Sequence, residues 1–215
     1  MPVEYTEITL FDYLIQEPMG LLTDWLITAF SVYWGLKLLA NNDNSKHFAY
    51  FFILLGLSTF FGGAAHGFFY KFGINMHRTA WITSALALFM LQMAVLRLFN
   101  DFFQKVMVAF SVFQLIFFGI LFTLSAKFMY TGINLAVGLL FVVLPFVWCK
   151  NENFDLRPLR RNFTIGICIL LLPGILVALR FNPHKWFNSN DLSHLIIILA
   201  LYFLFRGARL IPTKA

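Results

Sequence analysis

Asn190-Asp191-Leu192-Ser193-His194 opens the apolar run Leu195-Ile196-Ile197-Ile198-Leu199-Ala200-Leu201-Tyr202-Phe203-Leu204-Phe205, and this junction decides what kind of protein the chain is. Eleven apolar residues in a row read as the buried part of a membrane helix rather than as the striped face of a soluble one. An acid and an imidazole three residues apart share one face of that helix, so Asp191 and His194 are expected to point together into whatever it packs against. Ionisable groups are costly in hydrocarbon and face a bundle interior or a wet cavity, which makes the pair a candidate site.

The remainder of the chain has the same character. Of its 215 residues, 60% are apolar and 12% charged, with a mean hydropathy of +0.78, which excludes an ordinary soluble domain. Crossing a bilayer takes roughly 20 apolar residues. Candidate spans run over Leu21–Leu39, Phe48–Phe69, Arg78–Phe99, Val106–Ala126, Met129–Trp148, Phe163–Leu179 and Asp191–Phe205, the last a little short. The expected fold is therefore an all-α integral membrane bundle of seven transmembrane helices, one domain over residues 1–215. Residues 1–18 hold no basic n-region and are not a secretory signal; Leu10 to Ile15 is expected to lie at the interface as a short amphipathic helix.

The net charge of +6 is scattered over the ends of apolar runs and not gathered into a patch, so nucleic acid is not an expected partner. Lys71, Arg78, Lys127, Arg180 and Lys185 fall on one side. Lys37, Lys46, Arg97, Lys105, Lys150, Arg157, Arg160, Arg161, Arg206, Arg209 and Lys214 fall on the other. The richer side is expected to be cytoplasmic, which puts the N-terminus outside and the C-terminus inside, in the cell (inner) membrane. Membrane lipid is the expected surrounding and a lipid-like molecule the expected substrate.

In that topology Asp24, His66, His77, Asp191 and His194 all stand near the outer ends of their helices. Thr59, Gly62 or Gly63, and His66 share a stripe, since steps of three, four and seven residues return to one face, whereas Ser58 is rotated away. Gly56, Gly63 and Gly67 also suit close helix packing. His77 doubles as an interfacial residue beside Trp81, Asp24 sits beside Trp25, and Ser189, Asn190 or Asp191 suits the N-cap of the last helix. Imidazoles with a carboxylate form the ligand set of a catalytic zinc, with His66, His194, Asp191 and His77 as ligand candidates. Without a metal, Asp191 or Asp24 would serve an imidazole base. No HExxH or GxSxG motif is present, and the last span has no Lys for a retinal Schiff base.

Seven helices, a histidine late in the second (His66) and a histidine at the start of the seventh (His194) resemble the superfamily of alkaline ceramidases and progestin and adiponectin receptors. The architecture is equally similar to that of a bacterial-type membrane family. The resemblance implies Zn²⁺ held by histidines and hydrolysis of a lipid amide or ester; receptor, small-molecule binding and proton-relay roles use the same groups. The chain departs from the superfamily's pattern in three places. Gly62 stands where that pattern has Ser, the third span lacks its Asp, and Asn190 replaces the first histidine of the final pair.

Overall fold

The computed structural model describes residues 6–40, 45–150, 155–179 and 181–211, with the side chains of 177 and 178 left aside. Two basic residues of the charge count, Arg180 and Lys214, and the loop residues Asn41 to Asn44 lie outside this set. The chain opens with a β-hairpin, β1 (Glu7–Leu10) and β2 (Tyr13–Gln16), followed by α1 (Pro18–Leu39), α2 (Lys46–Gly67), the single turn α3 (Phe69–Phe72) and α4 (Ile74–Leu96). Beyond these come α5 (Phe102–Leu124), α6 (Met129–Val137), a π-helical segment (Gly138–Val143), α7 (Leu144–Trp148), α8 (Arg157–Ala178) and α9 (Ser189–Arg209). Among the described residues six helical rods are long and apolar enough to cross a membrane: α2, α4, α5, Met129–Trp148, α8 and α9. That is the mark of a multi-pass membrane protein. α1 matches them in length but carries Thr23, Asp24, Thr28, Ser31 and Lys37 and falls outside that group.

The amphipathic helix expected over Leu10 to Ile15 is corrected to a hairpin. Leu10 pairs with Tyr13, leaving Phe11 and Asp12 as a two-residue loop with φ of 50° and 65°. Positive φ at both loop residues is the type I′ condition, whose twist matches that of the strands it joins. Such a turn is normally Asn-Gly. Replacing Phe11-Asp12 by Asn-Gly is therefore expected to slow hydrogen exchange at the amides of Glu7 to Gln16, and unchanged exchange would show that tertiary contacts alone hold the hairpin.

Helix limits also differ from the expectation, by two to four residues at α1, α2, α4 and α5 and with structural causes at α8 and α9. α8 begins at Arg157, six residues before Phe163, because Pro158 suits a first helical turn and Arg160 lies over the Trp148 ring at 5.0 Å. α9 runs to Arg209 and is a full-length rod, since Arg206 and Arg209 lie over Tyr202 and Phe205 and complement the helix C-terminus. In the rod Met129–Trp148, Pro145 removes a backbone donor, and the preceding residues are wound as π-helix.

Packing follows the small residues. α1 and α2 lie against each other through Gly35, where a Cβ would meet the Ala49 carbonyl at 3.1 Å, and Gly56, where it would meet the Thr28 carbonyl at 3.2 Å. Thr28 ties the same seam, its hydroxyl 2.9 Å from that of Thr59. α9 packs on α1 and α8, and Trp34, Phe52 and Phe205 interlock where α1, α2 and α9 meet. Deeper between α4, α5 and α6, Gln92 donates to Gln114 at 2.9 Å and Gln114 donates to Asn134 at 2.8 Å. These amides satisfy one another and act as interhelical ties.

Candidate functional site

α1 and α2 pack closely enough to bring the ends of four helices to one place. On α2, Thr59 faces Thr28, Gly62 faces Asp24 and His66 faces Gly20; a Cβ at Gly62 would lie 3.0 Å from Asp24 Oδ2, and one at Gly20 3.4 Å from the His66 ring. The expected stripe of Thr59, Gly62 and His66 is thus the face that α1 covers, one helical turn against one helical turn. Ser58 points elsewhere and donates to the Ala80 carbonyl of α4 at 2.8 Å.

Two imidazole and carboxylate pairs occupy the end of this seam. His66 Nδ1 bonds Glu17 Oε2, and His194 Nε2 stands 3.5 Å from Asp24 Oδ1. The His66 and His194 rings are 6.4 Å apart between centroids, although the residues are far apart in sequence. His77 of α4 approaches His66 edge-on at 5.2 Å and stacks on Trp81 at 5.9 Å. The Asp24–His194 pair is the deeper, with side chains 8% and 15% exposed against 23% for both members of the other pair.

Thr23 determines how His194 presents itself. Its Oγ1 lies 2.8 Å from the Met19 carbonyl and 2.8 Å from His194 Nδ1. A hydroxyl has one proton to give. With that proton on Met19, Nδ1–H of His194 donates to Oγ1, and Nε2 is the bare nitrogen on the Asp24 side. Thr23→Val removes this acceptor and leaves a nearly buried N–H without a partner. It is expected to cost about 1–3 kcal/mol, read from unfolding in detergent, while Thr23→Ser stays close to the native chain. Equal stability of the Val variant would show that the bond contributes nothing.

Asp191 has a different role from the one its spacing indicates. Asn188 is the N-cap of α9, accepting from the Asn190 amide at 2.8 Å, and Asp191 completes the capping box by accepting from the Asn188 amide at 2.8 Å. The carboxylate facing His194 is therefore Asp24 of α1 and not Asp191 of its own helix. Asp191 still belongs to the neighbourhood. It is 2% exposed, its Oδ1 has no hydrogen-bond partner among the described residues, and it lies within electrostatic range of Asp24, His66 and Glu17.

Glu17 and Thr23 are the residues that sequence reasoning missed. Glu17 lies outside the apolar runs, immediately before Pro18. Its φ of 42° is left-handed, a conformation disfavoured for a non-glycine residue and further so ahead of proline. Strain of this kind costs on the order of 1–3 kcal/mol and collects at functional positions. Here it turns the chain out of the hairpin, whose end is closed by the Glu17 amide donating to Thr6, and into the bond with His66. The two remaining histidines lie apart: His47 meets Arg97 at the opposite end of α2, and His184 bridges to Phe187 in the loop before α9.

The zinc set expected from His66, His194, Asp191 and His77 is not assembled as such. Among the described residues no three His, Cys, Asp or Glu side chains are grouped to hold one metal ion. His66 Nδ1 is engaged by Glu17, both nitrogens of His194 face α1, and Asp191 gives one oxygen to the cap. What the arrangement offers directly is acid–base chemistry from two imidazoles, each with its own carboxylate.

The chain belongs to the family described as "Family of unknown function (DUF6962)", whose model matches residues 19–213. No curated protein and no solved structure matches it. The matched residues include every member of the cluster except Glu17.

Proposed function

We propose that the cluster is the acid–base site of a membrane-embedded hydrolase acting on a lipid amide or ester. The observation that carries this reading is the juxtaposition of Asp24–His194 and Glu17–His66 at the shared end of α1, α2 and α9. His194 takes a proton from the attacking water on Nε2, and the imidazolium that forms is met by Asp24. The water oxygen bonds to the carbonyl carbon. His66, held through Nδ1 by Glu17, gives a proton from Nε2 to the departing amine or alcohol as the carbonyl bond to it breaks. His77 flanks His66 and limits its ring movement, and the buried Asp191 lies within electrostatic range of His66.

In this reading the bundle has seven spans, α1 being the seventh, with the N-terminus outside and the C-terminus in the cytoplasm. The supporting fact is the uneven count of basic residues, five against eleven over the whole sequence. A reporter fused after Ala215 is expected to read as cytoplasmic; an external signal would place the site on the other face of the membrane.

The function is tested on purified full-length chain in detergent, given a long-chain ceramide and a lysophospholipid, with released fatty acid measured. Release from either supports the reading. No release from a folded, monodisperse protein counts against it. Zinc is measured in the same preparation by mass spectrometry, because about one ion per chain, lost in His194→Ala, would show that the imidazoles serve as ligands.

A further inference from the structure

The hairpin and α3 face each other across a groove of about 380 Å³. Leu10, Tyr13 and Ile15 line one wall, and Phe68, Phe72 and Lys71 the other. The walls are apolar yet open, with Leu10 50% and Tyr13 61% exposed, and Phe11 stands 86% exposed at the hairpin tip. Apolar surface of this kind on a membrane protein is suited to lipid rather than to water.

Both walls lead to the site. Ile15 is two residues before Glu17 and Phe68 two residues after His66, so the groove starts where the Glu17–His66 pair closes the bundle. Gln16 ties the walls at that end, its Oε1 accepting from the Tyr70 amide at 3.1 Å. Among the described residues that line the groove, Lys71 is the charged one. Its Nζ lies 5.8 Å from the Phe72 ring, and among the described residues no carboxylate pairs with it. A lysine with an apolar stem along such a wall and a free ammonium at its rim is placed to pair with a phosphate.

We propose that this groove binds a membrane lipid with an anionic headgroup, its acyl chain between the hairpin and α3 and its phosphate on Lys71. The lipid's amide or ester linkage is thereby brought to the Glu17–His66 pair; that last step rests on the hydrolase reading, whereas the binding site does not. The substrate class becomes an anionic lipid instead of a neutral one.

Binding is measured on the full chain in an uncharged detergent, with palmitoyl lysophosphatidic acid and its uncharged counterpart monopalmitoylglycerol as probes. The native chain is expected to bind the anionic probe about fivefold more tightly, the upper end of what one solvent-exposed ion pair contributes. Lys71→Gln is expected to make the two affinities equal. Leu10→Asn, at an exposed hairpin position, is expected to weaken both by about tenfold through loss of the apolar wall. Inorganic phosphate alone is expected to compete with neither. Equal affinities in the native chain, affinities unmoved by either substitution, or full competition by inorganic phosphate would overturn the proposal. Gly119→Ala, outside the lining and with nothing within 4 Å of a Cβ, is expected to bind both probes as the native chain does. Binding without hydrolysis would therefore keep the groove and end the hydrolase reading, and hydrolysis without groove-dependent binding would do the reverse.

Discussion

His194→Gln is expected to lower turnover of a lipid amide or ester by about 10²–10⁴-fold, the range for loss of a positioned general base. The substitution keeps a polar side chain of similar reach, so Thr23 retains a partner beside the Met19 carbonyl and Asp24 is not left facing an apolar cavity. What it removes is the nitrogen that accepts a proton. Asp24→Asn should act in the same direction and less strongly, since it leaves the imidazole in place and takes away only the charge that meets the imidazolium. Fatty-acid release, followed alongside helical circular dichroism and gel filtration, separates lost chemistry from lost fold. Turnover within a factor of about two of the native rate would remove His194 from the reaction, because a genuine base contributes far more.

The second large effect concerns the seam that brings the pairs together. At Gly63 a Cβ would fall 2.7 Å from Trp25 Cδ1 and 3.0 Å from the Leu21 carbonyl, and a backbone oxygen cannot yield as a flexible side-chain end can. Gly63→Leu therefore forces α1 and α2 apart, and with them the bond from Trp25 Nε1 to the Phe60 carbonyl. Overpacking of this kind costs about 1–3 kcal/mol, and more where backbone must move. Because Gly62 and Gly20 hold Asp24 and His66 on the same seam, turnover should fall together with the unfolding midpoint in detergent. Gly119→Leu is the control, since nothing lies within 4 Å of a Cβ there. An unfolding midpoint at the native value in Gly63→Leu would mean that the seam is not closely packed.

Helical rods were legible in the sequence because long apolar runs bounded by polar residues leave little choice of structure. Limits failed where a polar turn belongs to a helix, as with Arg157 to Asn162, which read as loop until Pro158 and the Arg160–Trp148 contact placed it in α8. The N-terminal hairpin was not legible. The strands are four residues each; Ile8, Leu10, Tyr13 and Ile15 share one face, but Leu14 breaks the alternation in β2, and Phe11-Asp12 is not turn chemistry that announces itself. Grouping Asp24, His66, His77 and His194 needed only the side of the membrane each span starts from. Partner choice needed helix rotation, which no spacing within one helix reports: Asp191 shares a face with His194 by count, yet the cap holds it while Asp24 reaches across from α1. Glu17 was hidden for a related reason, since only the left-handed turn before Pro18 directs it to His66.

In the proposed mechanism two imidazole and carboxylate pairs act as base and acid on one substrate, and the dependence of turnover on pH reads both of them out. For the native chain kcat/KM should trace a bell, rising as His194 Nε2 becomes free to accept a proton and falling as His66 loses the one it donates. In His66→Gln the alkaline fall should disappear while the acid-side rise remains. A profile of the same shape in the native chain and in His66→Gln would contradict the account, since the second pair would then take no part in the reaction.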